Sequence, residues 1–135
     1  MWQEETDRRK ATILVVDDEK PIADLIQKIL AQEGHLAHTA NTGDEAVRKA
    51  GELKPNLIIM DITMPGMDGY EATERIKASE DLKNVPVIFL TGKSAQEDGG
   101  RAFARGGAAY VRKPFSSVQI RDLVNLTLQS VFNDR

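Results

Sequence analysis

Cysteine is absent from the 135-residue chain, which excludes a disulfide framework, a thiolate metal site and a cysteine nucleophile. A basic surplus is absent too. Lysine and arginine number 18 against 21 aspartates and glutamates, a net charge of −3, so nothing advertises nucleic-acid binding. No run nears the roughly eighteen apolar residues of a membrane span. The opening MWQEETDRRK is charged where a secretory signal needs an apolar core. No Ser- or Gly-rich linker, internal repeat or low-complexity stretch divides the chain. What is present is one domain's worth of residues, 41% hydrophobic and 29% charged, the balance of an ordinary globular protein. The expectation is a soluble, single-domain protein of the cytoplasm, without a membrane or nucleic-acid partner.

Two patterns alternate along the sequence. Short apolar runs rich in Val, Ile and Leu recur at 12–16, 56–60, 86–90 and 108–112, with a weaker one at 36–40. Most are continuously apolar, which suits strands covered on both faces. Between them lie stretches of helical period. Ile22, Leu25, Ile26, Ile29 and Leu30 share one face, with Pro21 suited to a first turn and Gly34 to the position after the last. Ala46, Val47, Ala50 and Leu53 repeat the pattern behind Thr42, a candidate cap. Further helices are expected over 69–79, over 95–106 despite Gly99 and Gly100, and from Ser116 or Ser117 onward. Five strands alternating with five helices imply an α/β fold with a parallel sheet wrapped by right-handed crossovers. Residues 1–10 read as a mobile charged tail containing Trp2.

The strand ends carry the chemistry. Strand 1 runs into Asp17, Asp18 and Glu19, strand 3 into Asp61, strand 4 into Thr91, and strand 5 into Lys113 and Pro114. Open parallel sheets bind ligands outside these carboxyl ends, where the strand order reverses. In the flavodoxin-like order 2-1-3-4-5, strands 1 and 3 are neighbours about 4.8 Å apart. Three carboxylates there repel one another, and a hard divalent cation relieves the repulsion. Ligation by carboxylates, one backbone carbonyl and retained waters suits Mg²⁺ better than Ca²⁺. An acidic cup, a cation, a hydroxyl and the Lys113 ammonium make a place for a phosphoryl group.

The segments VVDDE at 15–19, MDITMPGMDGYEA at 60–72, FLTG at 89–92 and YVRKPF at 110–115 resemble the receiver domain of two-component response regulators. Four pieces in order, each at a predicted strand end, are far more specific than any one alone. The resemblance implies a (βα)5 doubly wound domain over 11–132, flanked by the 1–10 tail and a 133–135 tail. It implies that Asp61 is the phosphoacceptor, taking a phosphoryl group from the phosphohistidine of a sensor histidine kinase or histidine phosphotransfer protein. Asp17 and Asp18 resemble the pair that holds Mg²⁺ together with Asp61 and the backbone carbonyl of Thr63. Thr91 resembles the hydroxyl that meets the phosphoryl oxygen, Lys113 the lysine that pairs with it, and Tyr110 the aromatic switch. The Lys113–Pro114 bond is expected cis, as in the family.

The same resemblance sets the expected output. A stand-alone receiver would be no enzyme beyond its own phosphorylation and dephosphorylation. It would present a phosphorylation-dependent surface, built from the fourth predicted helix, fifth strand and fifth helix, to an unidentified protein target. A receiver excised from a longer regulator is the alternative. An aspartate-nucleophile phosphatase of the haloacid dehalogenase type is a weaker one, because Thr63 stands where its general-acid Asp belongs. Gly92, Gly99, Gly100, Gly106 and Gly107 soften the segment around 95–106, and Lys93 is a further candidate for contact with the phosphoryl group. His35 and His38 read as packed or solvated side chains rather than a metal pair, since odd spacing on an extended segment sends them to opposite faces.

Overall fold

The computed structural model describes residues 10–92 and 107–133. Its elements are β1 (Thr12–Val16), α1 (Lys20–Gln32), β2 (Leu36–Ala40), α2 (Gly43–Leu53), β3 (Leu57–Asp61), α3 (Gly69–Lys77), β4 (Val87–Thr91), β5 (Ala109–Arg112) and α4 (Ser117–Asn133), with a short 3₁₀ turn at Glu80–Leu82. The five strands form one sheet in the order β2-β1-β3-β4-β5, every pair parallel. This is the expected flavodoxin-like topology. The helix expected over 95–106, with Lys93 and Trp2, lies outside the described residues.

Strand alternation divides the core into two layers. Leu14 and Val16 of β1, Ile58 and Met60 of β3, and Val87 and Phe89 of β4 pack under α2 and α3, against Ala46, Ala50, Tyr70 and Ile76. Ile13 and Val15, Leu57 and Ile59, and Ile88 and Leu90 pack on the other face, against Ile26 and Leu30 of α1 and Ile120, Val124 and Leu128 of α4. Of the three interior strands, β3 and β4 are buried throughout and β1 from its second residue on, whereas the edge strands β2 and β5 are half-exposed. Continuous apolar runs thus mark the central strands, and the weaker run at 36–40 marks an edge.

Local chemistry ends each helix. Pro21 sits in the first turn of α1. At its other end Gly34 takes φ +91°, while the amides of Gly34 and His35 donate to the carbonyls of Ala31 and Leu30 at 3.0 and 3.1 Å. That pair of bonds is a Schellman closure, which needs a residue free to enter the left-handed region. Thr42 and Asp68 cap α2 and α3 by accepting from the amides of Glu45 and Glu71. Ser116 and Gln119 cap α4 reciprocally, each side chain accepting from the other's amide at 3.1 and 2.8 Å, a capping box.

Two boundaries shift by one residue in a way that bears on the site. β3 and β4 begin and end one position later than the apolar runs, so Asp61 and Thr91 are strand residues rather than the residues that follow. The ladder continues through them because the Ile62 amide donates to Leu90 O at 3.0 Å and the Lys113 amide to Thr91 O at 2.8 Å. β5 begins at Ala109 and α3 stops at Lys77, each inside its expected range. α4 runs to Asn133, one residue past the expected edge of the domain. His35 precedes β2, buried, its Nδ1 accepting from the Ala11 amide at 3.1 Å. It is a packed histidine, as expected.

Gly69 fixes how close α3 comes to the end of β3. A Cβ at that position would lie 2.2 Å from the Asp61 carbonyl oxygen and 2.9 Å from Ile62 Cα, both rigid backbone atoms. Gly51, within α2, meets nothing within 4 Å. Denaturant unfolding should separate them: Gly69→Ala loses roughly 1–3 kcal/mol or more from forced backbone displacement. Gly51→Ala gains about 0.5–1 kcal/mol from helix propensity.

Candidate functional site

The register dictates which side chains share the carboxyl edge. Val16 of β1 pairs with Met60 of β3, so the next residues, Asp17 and Asp61, emerge side by side. By alternation both turn toward the α1 and α4 face, as does Lys113 beyond β5. Thr91 and Tyr110 turn toward the opposite face with Phe89.

The Asp17 backbone is held from several directions. Its amide donates to Ala40 O at 3.1 Å, its carbonyl accepts from Asn41 Nδ2 at 2.9 Å, and its Oδ1 accepts from the Glu19 amide at 2.9 Å. Asn41 was not among the expected site residues, although it stands where the rule of polar strand ends places it, directly after β2. It is a positioning residue: its side-chain amide holds the Asp17 carbonyl.

The three acids and the lysine lie together. One carboxylate oxygen each from Asp17, Asp18 and Asp61 lies within 4.8 Å of the others. Lys113 Nζ stands 2.9 Å from Asp17 Oδ2, 3.3 Å from Asp61 Oδ1 and 3.8 Å from Glu19 Oε1. Asp17 and Asp61 are buried, Asp18 and Glu19 exposed, so the cup has a dry floor and a wet rim. Asp17 Oδ2 is the telling atom. The Lys113 ammonium is its charge partner at 2.9 Å, and a buried carboxylate oxygen with two lone pairs keeps acceptor capacity for a further cation. Thr91 is buried at the end of β4, bound through its carbonyl to the Lys113 amide. Thr63, two residues after Asp61 in the loop, has its side chain exposed. Tyr110 is half-buried against the α2–α3 core, and the Lys113–Pro114 bond is cis.

Charge balance follows from this packing. Asp61 is pushed up to about 7, first by burial and then by the charge of Asp17, with Lys113 pulling the other way and Asp18 adding to the rise. At an effective dielectric of about 20, a neighbouring like charge and a salt-bridging ammonium are each worth a few kcal/mol. They offset each other, and burial decides the sign. Burial works against the Lys113 charge as well, but there the two aspartates win and its pKa is raised. The ammonium therefore stays protonated wherever Asp61 titrates.

The carboxyl edge of the parallel sheet thus gathers three acids and a lysine, with Thr91 buried at the end of the neighbouring strand. Residues 13–125 match the family described as response regulator receiver domain, and the chain belongs to that family. Solved structures agree. NtrX from Brucella abortus is 32% identical over 94% of this chain, with a TM-score of 0.86, and the chain spans 28% of that protein's length. The chemotaxis protein CheY4 of Vibrio cholerae is 30% identical, with 91% of this chain and 99% of that one covered and a TM-score of 0.79. The receiver domain of a signal transduction histidine kinase from Syntrophus aciditrophicus is 35% identical, with 90% and 92% covered and a TM-score of 0.81. The chain is thus a receiver domain of a two-component system, with an acidic pocket of Asp17, Asp18 and Asp61 able to hold a metal ion. Among the described residues no helix is long and apolar enough to cross a membrane.

The raised Asp61 has a measurable consequence. Between its ordinary value of 3.8 and about 7, the folded state binds more protons than the unfolded state, so stability falls as pH rises through that window. In chelated buffer Asp61→Asn should be more stable than wild type at pH 8 by up to roughly 4 kcal/mol, with the gain shrinking toward pH 4. Thermal melts across pH read this directly, and a difference independent of pH would contradict it.

Proposed function

We propose that Asp61 accepts a phosphoryl group from a phosphohistidine, and that the resulting aspartyl phosphate switches a protein-binding surface. What carries this is the placing of Lys113 Nζ, 2.9 Å from Asp17 and 3.3 Å from Asp61, beside acids whose oxygens lie within 4.8 Å of one another. An Asp61 oxygen attacks phosphorus, the P–N bond breaks, and its electron pair returns to the imidazole ring. Such transfer asks the protein for alignment and charge neutralisation more than for covalent help. Lys113 meets the phosphoryl oxygens as a cation, and the Thr91 hydroxyl donates to one of them. The all-oxygen donor set and the remaining lone-pair capacity of the buried Asp17 Oδ2 fit Mg²⁺, which Asp17, Asp18, Asp61 and the Thr63 carbonyl would hold. Bound there, the ion supplies positive charge against the transferring oxygens.

The donor is a sensor histidine kinase or histidine phosphotransfer protein, and the reader is a downstream protein. Thr91 and Tyr110 carry the change to the surface of β5 and α4, biasing a two-state equilibrium that the reader senses. Beyond gaining and losing its own phosphoryl group in the cytoplasm, the chain turns over no substrate. The phosphatase alternative gains nothing from the exposed hydroxyl of Thr63, which is no general acid.

Incubation with acetyl phosphate and Mg²⁺ followed by intact mass tests the proposal. One added phosphoryl group is expected, and none in Asp61→Ala or after chelation. Labelling that survives Asp61→Ala would remove Asp61 from the role.

A further inference from the structure

On the α2–α3 side of the sheet Tyr70, Phe89 and Tyr110 lie in a row, of which the roles assigned above use only Tyr110. Tyr70 is the second residue of α3, 1% exposed. Its ring meets Phe89 edge to face, with centroids 5.1 Å apart and planes at 69°. Phe89, wholly buried, pairs in register with Tyr110 across the β4–β5 ladder. Thr91 lies two residues further along the same face of β4. At its other end, Tyr70 follows Gly69, whose amide donates to Ile62 O at 2.8 Å and whose Cα leaves no room for even a methyl group beside the Asp61 carbonyl. The start of α3 therefore cannot slide independently of the Asp61 backbone.

We infer that Tyr70 is a positioning residue that couples the Asp61 loop to Tyr110 through Phe89, a second route beside the one through Thr91. The inference rests on the proposed phosphoacceptor role of Asp61. A shift of the 61–63 backbone on phosphorylation carries Gly69 with it, and Tyr70 then moves against Phe89. Packed aromatic edges have few alternative arrangements, so the displacement is passed on rather than absorbed. Tyr110, half-buried, is the member of the row with room to respond.

The chain has two tyrosines, so 3-fluorotyrosine labelling leaves Tyr110 as the single ¹⁹F probe in any Tyr70 variant. Wild type, Tyr70→Phe, Tyr70→Leu and Phe89→Leu are each treated with acetyl phosphate and Mg²⁺. Intact mass on the same samples gives the phosphorylated fraction, and the Tyr110 resonance gives the switch. Tyr70→Leu and Phe89→Leu, which break the same contact from opposite sides, should take up phosphate to the wild-type extent but lose most of the Tyr110 shift. Tyr70→Phe, which keeps the ring, should retain it. A full Tyr110 shift in either leucine variant overturns the coupling and leaves the phosphoacceptor reading standing. A wild-type chain that gains no phosphoryl group overturns both.

Discussion

The structure turns on a repulsion left standing. Two carboxylates, Asp17 and Asp61, are buried at adjacent strand ends, and the Lys113 ammonium beside both does not restore Asp61 to its ordinary acidity. A fold under selection for stability alone would fill this position with apolar side chains, since buried ion clusters seldom stabilise. The sheet instead commits backbone, register and several helper contacts to keeping the acids together. Asn41 and the Glu19 amide hold Asp17, Gly69 lets α3 close on the Asp61 carbonyl, and the Thr91 carbonyl holds the amide of Lys113.

Such a cluster is complementary to positive charge and to a group that reorganises it. Under the proposed function, a cation and a phosphoryl group complete an arrangement the protein leaves unbalanced, so little reorganisation is needed at the moment of transfer. The surrounding core has the opposite character. Two closely packed apolar layers, one on each face of the sheet, transmit displacement poorly through deformation and well through rigid shifts. A small change at the carboxyl edge can therefore reach β5, where Tyr110 lies at the boundary between core and solvent.

Much of this was legible in the residues. The five apolar runs marked all five strands, and polar residues closing them marked the edge at which the site forms. Thr42 and Gly34 were readable as helix ends because capping chemistry is local. The expected cluster of Asp17, Asp18, Asp61 and Lys113 assembled because register and alternation follow from topology once the strand order is known. Less visible was what depends on atoms far apart in sequence. Apolar patterning ended β3 and β4 one residue early, since it cannot register a ladder that continues through Asp61 and Thr91. The need for Gly69 is the close approach of α3 to the end of β3, which no local pattern displays. Asn41 and the Tyr70–Phe89 contact likewise depend on packing between separate elements.

The central claim is that burial and Asp17 hold the Asp61 carboxyl partly protonated near neutral pH, leaving a hollow that favours cations. Carboxyl ¹³C NMR titration of the chelated protein, repeated with Mg²⁺, tests it most directly. The Asp61 carboxyl should titrate at about 7 without metal and at distinctly lower pH when Mg²⁺ is present. An Asp61 carboxyl that titrates in the ordinary aspartate range and ignores Mg²⁺ would contradict the account.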